Sequence, residues 1–239
     1  MKKFGICLLA FGHTHVTECN RLIQSLYEID NDLDIFVYTN DWTGELHHRP
    51  KQVLTNAEFN YNLKVEAVNF GLLHYDTVLF LDTDTYINKL IDFSLLENIT
   101  EDGFYTTKQP YTVFTHKDEV VSVHSLINET DYGKNVVKIS EFNDLTFLDE
   151  QKFIIKIKDE DERYKFCQSW KKLFKETKDS QIKNKQNGLP GIYEGLIIST
   201  ACRLVNLPII YNDMNVKSFF NNVSHYGWDI DKPNKPTLI

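Results

Sequence analysis

The sequence lacks any paired arrangement of cysteines. Its four cysteines, Cys7, Cys19, Cys167 and Cys202, are scattered and form neither a CxxC pair nor a regular zinc-ligand spacing. This pattern argues against a disulfide framework and against a cysteine-based zinc site, and it favours reduced thiols in a reducing compartment. We therefore expect a cytoplasmic protein.

Long apolar runs are also missing. No stretch approaches the roughly 20 apolar residues that a membrane helix needs, so no transmembrane segment is expected. The initial run FGICLLAFG is too short for a signal peptide and is not followed by a convincing cleavage site. The hydrophobic content of 42% is ordinary for a soluble globule, and 239 residues suffice for one well-packed α/β domain or two small ones.

The chain has no excess of basic residues. It carries 26 Lys and Arg against 34 Asp and Glu, for a net charge of −8 and a sequence pI near 5.5. A nucleic-acid surface needs a basic excess or a concentrated basic face, so no nucleic-acid partner is expected. The segment from Lys165 to Lys185 also carries acids, which indicates a solvated helix face with a loop; a basic membrane or acceptor patch is the alternative.

What the sequence does contain is an alternation of apolar strands and amphipathic helices. Strands are predicted at residues 4–12, 33–41, 78–81 and 209–213, and helices at 16–29, 62–73 and 192–208. Residues 103–185 give no clear topology, with a β-rich stretch at 111–127, a strand and turn at 153–162 and a helix at 161–177. The alternation predicts an α/β fold with helices on both faces of a mostly parallel sheet. Because no repeat or long linker interrupts it, we expect one domain over residues 1–239.

Polar residues follow the predicted parallel strands where each strand ends. Asp82 and Asp84 come directly after the apolar run Val78–Leu81. In open sheets of this type, ligands gather outside the carboxyl ends of the strands. We therefore expect Gly12–Thr14, Thr39–Asp41 and the two aspartates to lie together.

The aspartate pair predicts a site for a divalent cation. A desolvated carboxylate is costly unless it is paired or holds a cation, and hard cations take oxygen ligands together with substrate phosphates. The simpler alternative is that Asp82 and Asp84 only cap a turn.

A second alternative is a haloacid-dehalogenase-like phosphatase, which VLFLDTDT resembles. Asp82 would then attack phosphorus and Asp84 would act as acid and base. That motif usually lies on the first strand, whereas here a β-α-β unit precedes it. The late acidic motif is reduced to Asp213.

Three segments together resemble nucleotide-sugar glycosyltransferases of the GT-A fold, and most of all glycosyltransferase family 8, the retaining enzymes that include glycogenin. LKVEAVNFGLLHYDTVLFLDTDTYINKLIDFSLL is similar to the family's lysine-containing helix, YDKVLYLDADTLV-like strand and NIDDLF-like turn. YEGLIISTACRLVNLPIIYNDMN is similar to its DQDILN…LPLRYN segment, and SHYGWDIDKP to its HYxGxxKPW ending. The resemblance covers most of residues 1–100 and 190–236.

The resemblance implies a Mn²⁺-dependent enzyme, with Mg²⁺ as a possible substitute. Asp82, Asp84 and His225 would hold the metal. The donor would be a UDP-sugar, with glucose or galactose favoured, and the acceptor a glycan or another hydroxyl compound; transfer would occur with retention. Residues 1–100 would bind the nucleotide sugar, and residues 101–239 would form the acceptor half and the metal and diphosphate tail.

The resemblance also implies a set of nucleotide contacts. They are Ala10, Phe11, Thr14, Thr39, Asn40, Lys64, Asp82, Thr83 and Lys232. The tail departs from the family by one extra residue and by Asn234 in place of tryptophan, so Lys235 can substitute for Lys232. The simpler interpretations are that Phe11 belongs to the core, that the lysines lie on the surface and that His225 is an exposed tail residue.

Glu194 falls where the family has the glutamine of DQD, near the reacting face of the donor sugar. A carboxylate there can stabilise an oxocarbenium-like centre, act as a nucleophile or accept the acceptor's proton. The alternative is an acidic residue that stabilises the first turn of a helix. Tyr193 replaces the first aspartate of DQD, a departure that concerns the acceptor contacts. A third hypothesis is a sugar- or nucleotide-binding module that keeps the fold but lacks turnover.

Overall fold

The computed structural model describes residues 3–41, 45–46, 50–56, 63–108, 110, 112–116, 119–186 and 194–225. In chain order its strands are β1 (Phe4–Ala10), β2 (Ile35–Thr39), β3 (Lys51–Leu54), β4 (Thr77–Leu81), β5 (Thr85–Ile87), β6 (Gly103–Tyr105), β7 (Val113–His116), β8 (Glu119–Ser122), β9 (Lys152–Lys156), β10 (Ile209–Ile210) and β11 (Val223–His225). Its helices are α1 (Gly12–Ile29), α2 (Leu63–Leu72), α3 (Ser94–Glu97), α4 (Val123–Glu129), α5 (Asp131–Ser140), α6 (Glu160–Glu176), α7 (Lys178–Gln186), α8 (Glu194–Leu204) and α9 (Met214–Phe220).

A seven-stranded sheet in the order β10-β6-β9-β4-β1-β2-β3 organises the fold. All neighbouring pairs are parallel except those of β9, which runs antiparallel to both β4 and β6. The predicted mostly parallel α/β sheet is therefore confirmed. β5 and β11 pair in a separate antiparallel ribbon, and β7 and β8 form a second one.

Alternate side chains of the central strands enter two apolar clusters, one on each face of the sheet. Cys7 and Phe80 join the cluster built with α2, α5, α6 and α8. Ile6 and Leu79 join the cluster built with α1, α3 and α9. Burial on both faces explains why β1 and β4 read as continuous apolar runs rather than as alternating patterns.

The largest aromatic side chains pack on the first of these faces. Phe153 of β9 stacks between Phe80 and Phe104, with ring centroids 5.0 and 4.8 Å apart, and Trp170 of α6 lies 6.4 Å from the same ring. This packing fixes β9 between β4 and β6, and with it the residues that precede β9.

Three local features differ from the sequence predictions. The short polar strand β3 is not predicted, because its pairing with β2 rather than its composition makes it a strand. Within the β-rich stretch at 111–127, the chain becomes helical from Val123. The lysine-rich segment continues as α7 instead of ending in a loop, since buried Thr177 and Gln181 hydrogen-bond to each other and to carbonyls at the end of α6. In the described part of the chain, no helix has the length and apolar character required to cross a membrane.

We expect the four cysteines to be inert in the folded protein. Each is free and buried, and burial raises the pKa of every one of these thiols, which suppresses the reactive thiolate. A disulfide exchange reagent should label none of them in native protein and all of them in guanidinium, which serves as the control. Rapid labelling of any thiol in the native state would contradict this packing.

Candidate functional site

The three polar strand ends meet at one edge of the sheet, as predicted. β1 lies between β2 and β4, so their carboxyl ends are neighbours. The backbone N–H of Gly12 donates to Oδ1 of Asn40 at 3.2 Å, which joins the ends of β1 and β2. Gly12 has φ of 78°, a left-handed conformation that glycine adopts without strain and that turns the chain from β1 into α1.

The residues predicted to contact the nucleotide differ in exposure. Ala10 and Phe11 are buried, and the Phe11 ring stacks on Tyr38 with centroids 6.2 Å apart. Thr39 is fully buried, and its hydroxyl oxygen accepts the backbone N–H of Asp41 at 3.0 Å. Thr14 is exposed on the first turn of α1. Phe11 and Thr39 are therefore part of the packed interior beneath the strand ends, while the side chain of Thr14 faces solvent.

The centre of the site is the ammonium of Lys64. Its Nζ lies 3.3 Å from Oδ1 of Asp82 and 3.2 Å from Oε2 of Glu194, and it donates to the carbonyl of Glu150 at 2.9 Å. The ammonium is also 5.0 Å from the centroid of the Phe80 ring, within cation–π range. Residues more than 100 positions apart in the chain therefore meet around one cation.

The charge of Lys64 is held in a buried setting. The Lys64 and Glu194 side chains are only 5% and 7% exposed, whereas that of Asp82 is 27% exposed. Burial opposes the charge of Lys64, but Asp82, Glu194 and Glu150 outweigh it and raise its pKa above the ordinary value. Burial raises the pKa of Glu194 to about 7, an effect that Lys64 partly offsets. Burial likewise raises the pKa of Glu150 to about 8.

Oε1 of Glu194 has no hydrogen-bond partner among the described residues, although it is buried. A carboxylate oxygen in this state is costly unless a ligand or water donates to it. Gly195, the next residue, permits the close approach of α8 that brings Glu194 here, because a Cβ at that position would lie 2.2 Å from the carbonyl oxygen of Leu148.

A further segment, residues 149–152, reaches the site without having been predicted to do so. β9 is antiparallel to β4, so the residues before β9 lie beside those after β4, and Asp82 N donates to the carbonyl of Gln151 at 2.9 Å. Asp149 is buried, and its Oδ2 lies 3.1 Å from Nζ of exposed Lys108. A signal exists in the sequence: the charged DEQK precedes the apolar strand FIIKI. Because β9 is antiparallel to its neighbours, its first residues lie where the parallel strands end, and the charged residues before it lie at the site.

Asp82 and Asp84 flank a turn between β4 and β5, where Thr85 N donates to the carbonyl of Asp82 at 3.1 Å. Thr83 between them is buried and Asp84 is half-buried. In β11, the backbone of His225 pairs opposite Thr85, which directly follows Asp84. The fold thus brings the three predicted metal ligands to adjacent positions along the chain and the ribbon.

The donor types fit a divalent transition metal. The two partly accessible carboxylates are oxygen donors, and the residue that pairs beside them bears an imidazole, a nitrogen donor that suits transition metals. Among the side chains that the structure describes, no three His, Cys, Asp or Glu residues group to hold a metal. The side chain of His225 and all of Tyr193, Lys232 and Lys235 lie outside the described residues.

No protein-family model matches the chain, and no curated protein matches it. Among solved structures, the bifunctional glycosyltransferase WbbM aligns with a TM-score of 0.51 and 13% identity over 95% of this chain and 46% of WbbM. Two structures of the galactosyltransferase LgtC, one with donor and acceptor sugar analogues and one of an active-site mutant, cover 93% of this chain and 87% of LgtC. Their identities are 11% and 12%, and their TM-scores 0.45 and 0.44.

The likeness to WbbM shows a GT-A-like glycosyltransferase fold, and the chain spans slightly less than half the length of WbbM. The phosphatase interpretation of VLFLDTDT is not favoured. WbbM is a glycosyltransferase, and β4 follows β1, α1, β2 and β3 instead of opening the fold.

The buried carboxyl of Glu194 predicts a pH-dependent stability. Its pKa rises from an ordinary 4.5 to about 7, so between these values the folded state holds a proton that the unfolded state has released. The free energy of unfolding should therefore fall as the pH rises through this window, by about 3 kcal/mol from this group. Urea unfolding at several pH values, with chelator present, measures it.

Glu194→Gln is the matched variant, because glutamine keeps the size of the side chain but does not titrate. Glu150 titrates in both proteins, and the charge of Glu194 contributes to its raised pKa, so the difference between the two proteins reports Glu194 together with its effect on Glu150. The variant should lose less stability between pH 4.5 and 7 than the wild type. Equal pH dependence in the two proteins would show that Glu194 is not held in this setting.

Proposed function

We propose that this chain is a nucleotide-sugar glycosyltransferase that transfers a hexose from UDP-glucose or UDP-galactose to a hydroxyl of a glycan or another acceptor. The observation that carries the proposal is the Lys64 ammonium held between Asp82 and Glu194 at the carboxyl edge of the strands. In a GT-A-like fold, this edge is where a nucleotide sugar would place its diphosphate and its reacting carbon.

The two halves of the chain would have different roles within one domain, one in binding the nucleotide sugar and one in binding the acceptor. The strand ends of β1, β2 and β4 all come from residues 1–100, which we assign to the nucleotide sugar. Residues 101–239 would supply Glu194, the acceptor side and the tail with Lys232 or Lys235 against the diphosphate. This assignment is supported by the position of Glu194, which enters the edge from α8 rather than from one of these strands.

Asp82, Asp84 and His225 would hold Mn²⁺, or Mg²⁺ in its place. The bound metal would act as a Lewis acid on the diphosphate leaving group. Asp82 is already beside Lys64, so the two cations would share this carboxylate. Lys64 would orient the carboxyl groups of Asp82 and Glu194 toward the ligand.

Glu194 would act at the sugar. Its Oε2 is held by Lys64, and its buried Oε1 is left to accept a hydrogen bond from the ligand or to face the anomeric carbon. In a retaining enzyme, the acceptor attacks from the face of the departing diphosphate, or a covalent glycosyl-enzyme forms first. A carboxylate near the opposite face helps either route. An α-configured donor would then give an α-linked product.

A panel of UDP-sugars with Mn²⁺, read by calorimetry and mass spectrometry, tests the function. We expect binding of UDP with metal and slow hydrolysis of at least one UDP-sugar. Neither binding nor hydrolysis would end the proposal. Phosphate release from a generic phosphoester with Mg²⁺ would instead indicate a phosphatase, and binding without transfer across a broad acceptor panel would indicate a binding module.

Asp84→Asn should remove most Mn²⁺-dependent UDP binding and leave the fold intact, because a half-buried carboxylate in a turn contributes little to the core. His225→Ala should weaken the metal less. Asp76→Asn is the matched control, since Asp76 precedes the same strand at its opposite end. Calorimetry with Mn²⁺ and UDP is the measurement. Unchanged Mn²⁺ affinity in both site variants would refute the metal ligands.

Glu194→Ala should lower turnover by roughly 10²-fold or more, the scale of one transition-state contact, with little change in donor affinity. Glu194→Gln should be milder. Glu160→Ala, which removes another acid from the first turn of a helix, is the control for a helix-dipole role and should leave turnover unchanged. A β-linked product by NMR would make Glu194 a candidate base for inversion and would refute the family 8 assignment.

A further inference from the structure

The ribbon formed by β5 and β11 is joined to the main sheet by a buried charge. This ribbon follows directly on Asp84, and its backbone pairs are Val223 with Ile87, Ser224 with Tyr86 and His225 with Thr85. Neither of its strands pairs with β10 or β3, the two outer strands of the seven-stranded sheet. What fixes the ribbon against the end of β4 therefore decides where His225 stands relative to the two aspartates.

Lys152 makes that connection. It is the first residue of β9 and pairs with Leu81, the last residue of β4, so it lies beside Asp82. Its Nζ donates to the backbone carbonyl of Val223, the first residue of β11, at 2.5 Å. The hydrogen bond spans 71 positions in the sequence and links the main sheet to the ribbon.

A lysine at this position carries a desolvation penalty, because its ammonium is buried. Lys152 is only 9% exposed, and lysine is rarely buried unless its ammonium is paired. An apolar residue of the same length would fill the space without that cost. The return is a charge-assisted hydrogen bond to a main-chain oxygen, which fixes a backbone position more firmly than apolar contact does.

Other contacts hold the same end of the ribbon, next to the pair formed by Val223 and Ile87. Asn88 N donates to the carbonyl of Asn222 at 2.8 Å, and the rings of Phe93 and Phe219 meet edge to face with centroids 5.7 Å apart. Val223 itself has a buried side chain. These contacts would keep the ribbon paired without Lys152, so loss of the lysine should loosen β11 locally rather than unfold the chain.

We propose that Lys152 is a positioning residue that fixes β11 against the end of β4 and so sets His225 beside Asp84 for metal binding. The part that concerns the metal rests on the proposed function, while the tether itself does not. Residues of this kind behind metal ligands typically change metal affinity by about 10–100-fold when they are lost.

Lys156 provides a matched control on the same strand. It is 7% exposed and ends β9 where Lys152 begins it. Its Nζ lies 3.3 Å from Oδ2 of Asp76 and 3.0 Å from Oγ1 of Thr77, at the opposite edge of the sheet from the site. Replacing it removes a buried lysine from β9 without touching the ribbon.

The experiment compares wild type, Lys152→Met, Lys152→Arg and Lys156→Met in the full chain, each confirmed as folded by circular dichroism. Hydrogen exchange followed by mass spectrometry reports the amides of residues 223–225, and calorimetry with Mn²⁺ alone reports metal affinity. We expect Lys152→Met to speed exchange in β11 by about tenfold and to weaken Mn²⁺ by about tenfold or more. Lys152→Arg, which still donates to a carbonyl, should largely restore both, and Lys156→Met should change neither.

Unchanged exchange in β11 for Lys152→Met would overturn the tether. Faster exchange with unchanged Mn²⁺ affinity would overturn its role in placing His225. Equal effects from Lys156→Met would mean a general weakening of β9 and would also overturn the proposal. If the wild type binds no Mn²⁺, the proposed metal site fails, and the exchange data still decide whether Lys152 holds the ribbon.

Discussion

The ammonium of Lys64 is the interaction on which the arrangement of the site depends. It contacts Asp82 at the end of β4 and Glu194 at the start of α8. Both carboxyl groups are needed, because the free-energy cost of burying a cation without partners is far higher than that of burying a paired one. The same pairing keeps Asp82 and Glu194 close together despite their like charge. The helix α2 therefore does more than cover the sheet. It carries Lys64, whose positive charge allows Asp82 and Glu194 to lie close together.

The antiparallel strand β9 is the second constraint. Stacking of Phe153 between Phe80 and Phe104 fixes this strand next to β4. Because it runs against its neighbours, its first residues lie at the edge where the parallel strands end. This one reversal brings Glu150 to Lys64 and Lys152 to the ribbon that carries His225. A parallel strand in the same place would have presented Lys156 there instead.

Much of the first half of the fold could be predicted from local pattern. The runs that become β1, β2 and β4 are apolar because both of their faces are covered, and the spacing Val16, Leu22, Ile23 and Leu26 matches the buried face of α1. β3 could not be predicted, since KQVL has little strand character and depends on its pairing with β2. The topology of the middle of the chain could not be predicted, because β6 and β9 pair although more than 40 residues, including two helices and a hairpin, separate them in the sequence.

The sequence by itself determined the α/β class and the polar strand ends. It also marked Lys64, Asp82, Asp84, Glu194 and His225 as candidates, because each of these signals lies in a short window of residues. Only the tertiary structure decided that Lys64 is buried between two carboxylates, that residues 149–152 border the site and that β11 pairs with β5. Those facts rest on strand order and direction and on burial. These properties arise when distant segments pack together. The one local signal, the charged DEQK before the apolar FIIKI, places residues 149–152 at the site only because β9 runs antiparallel to β4.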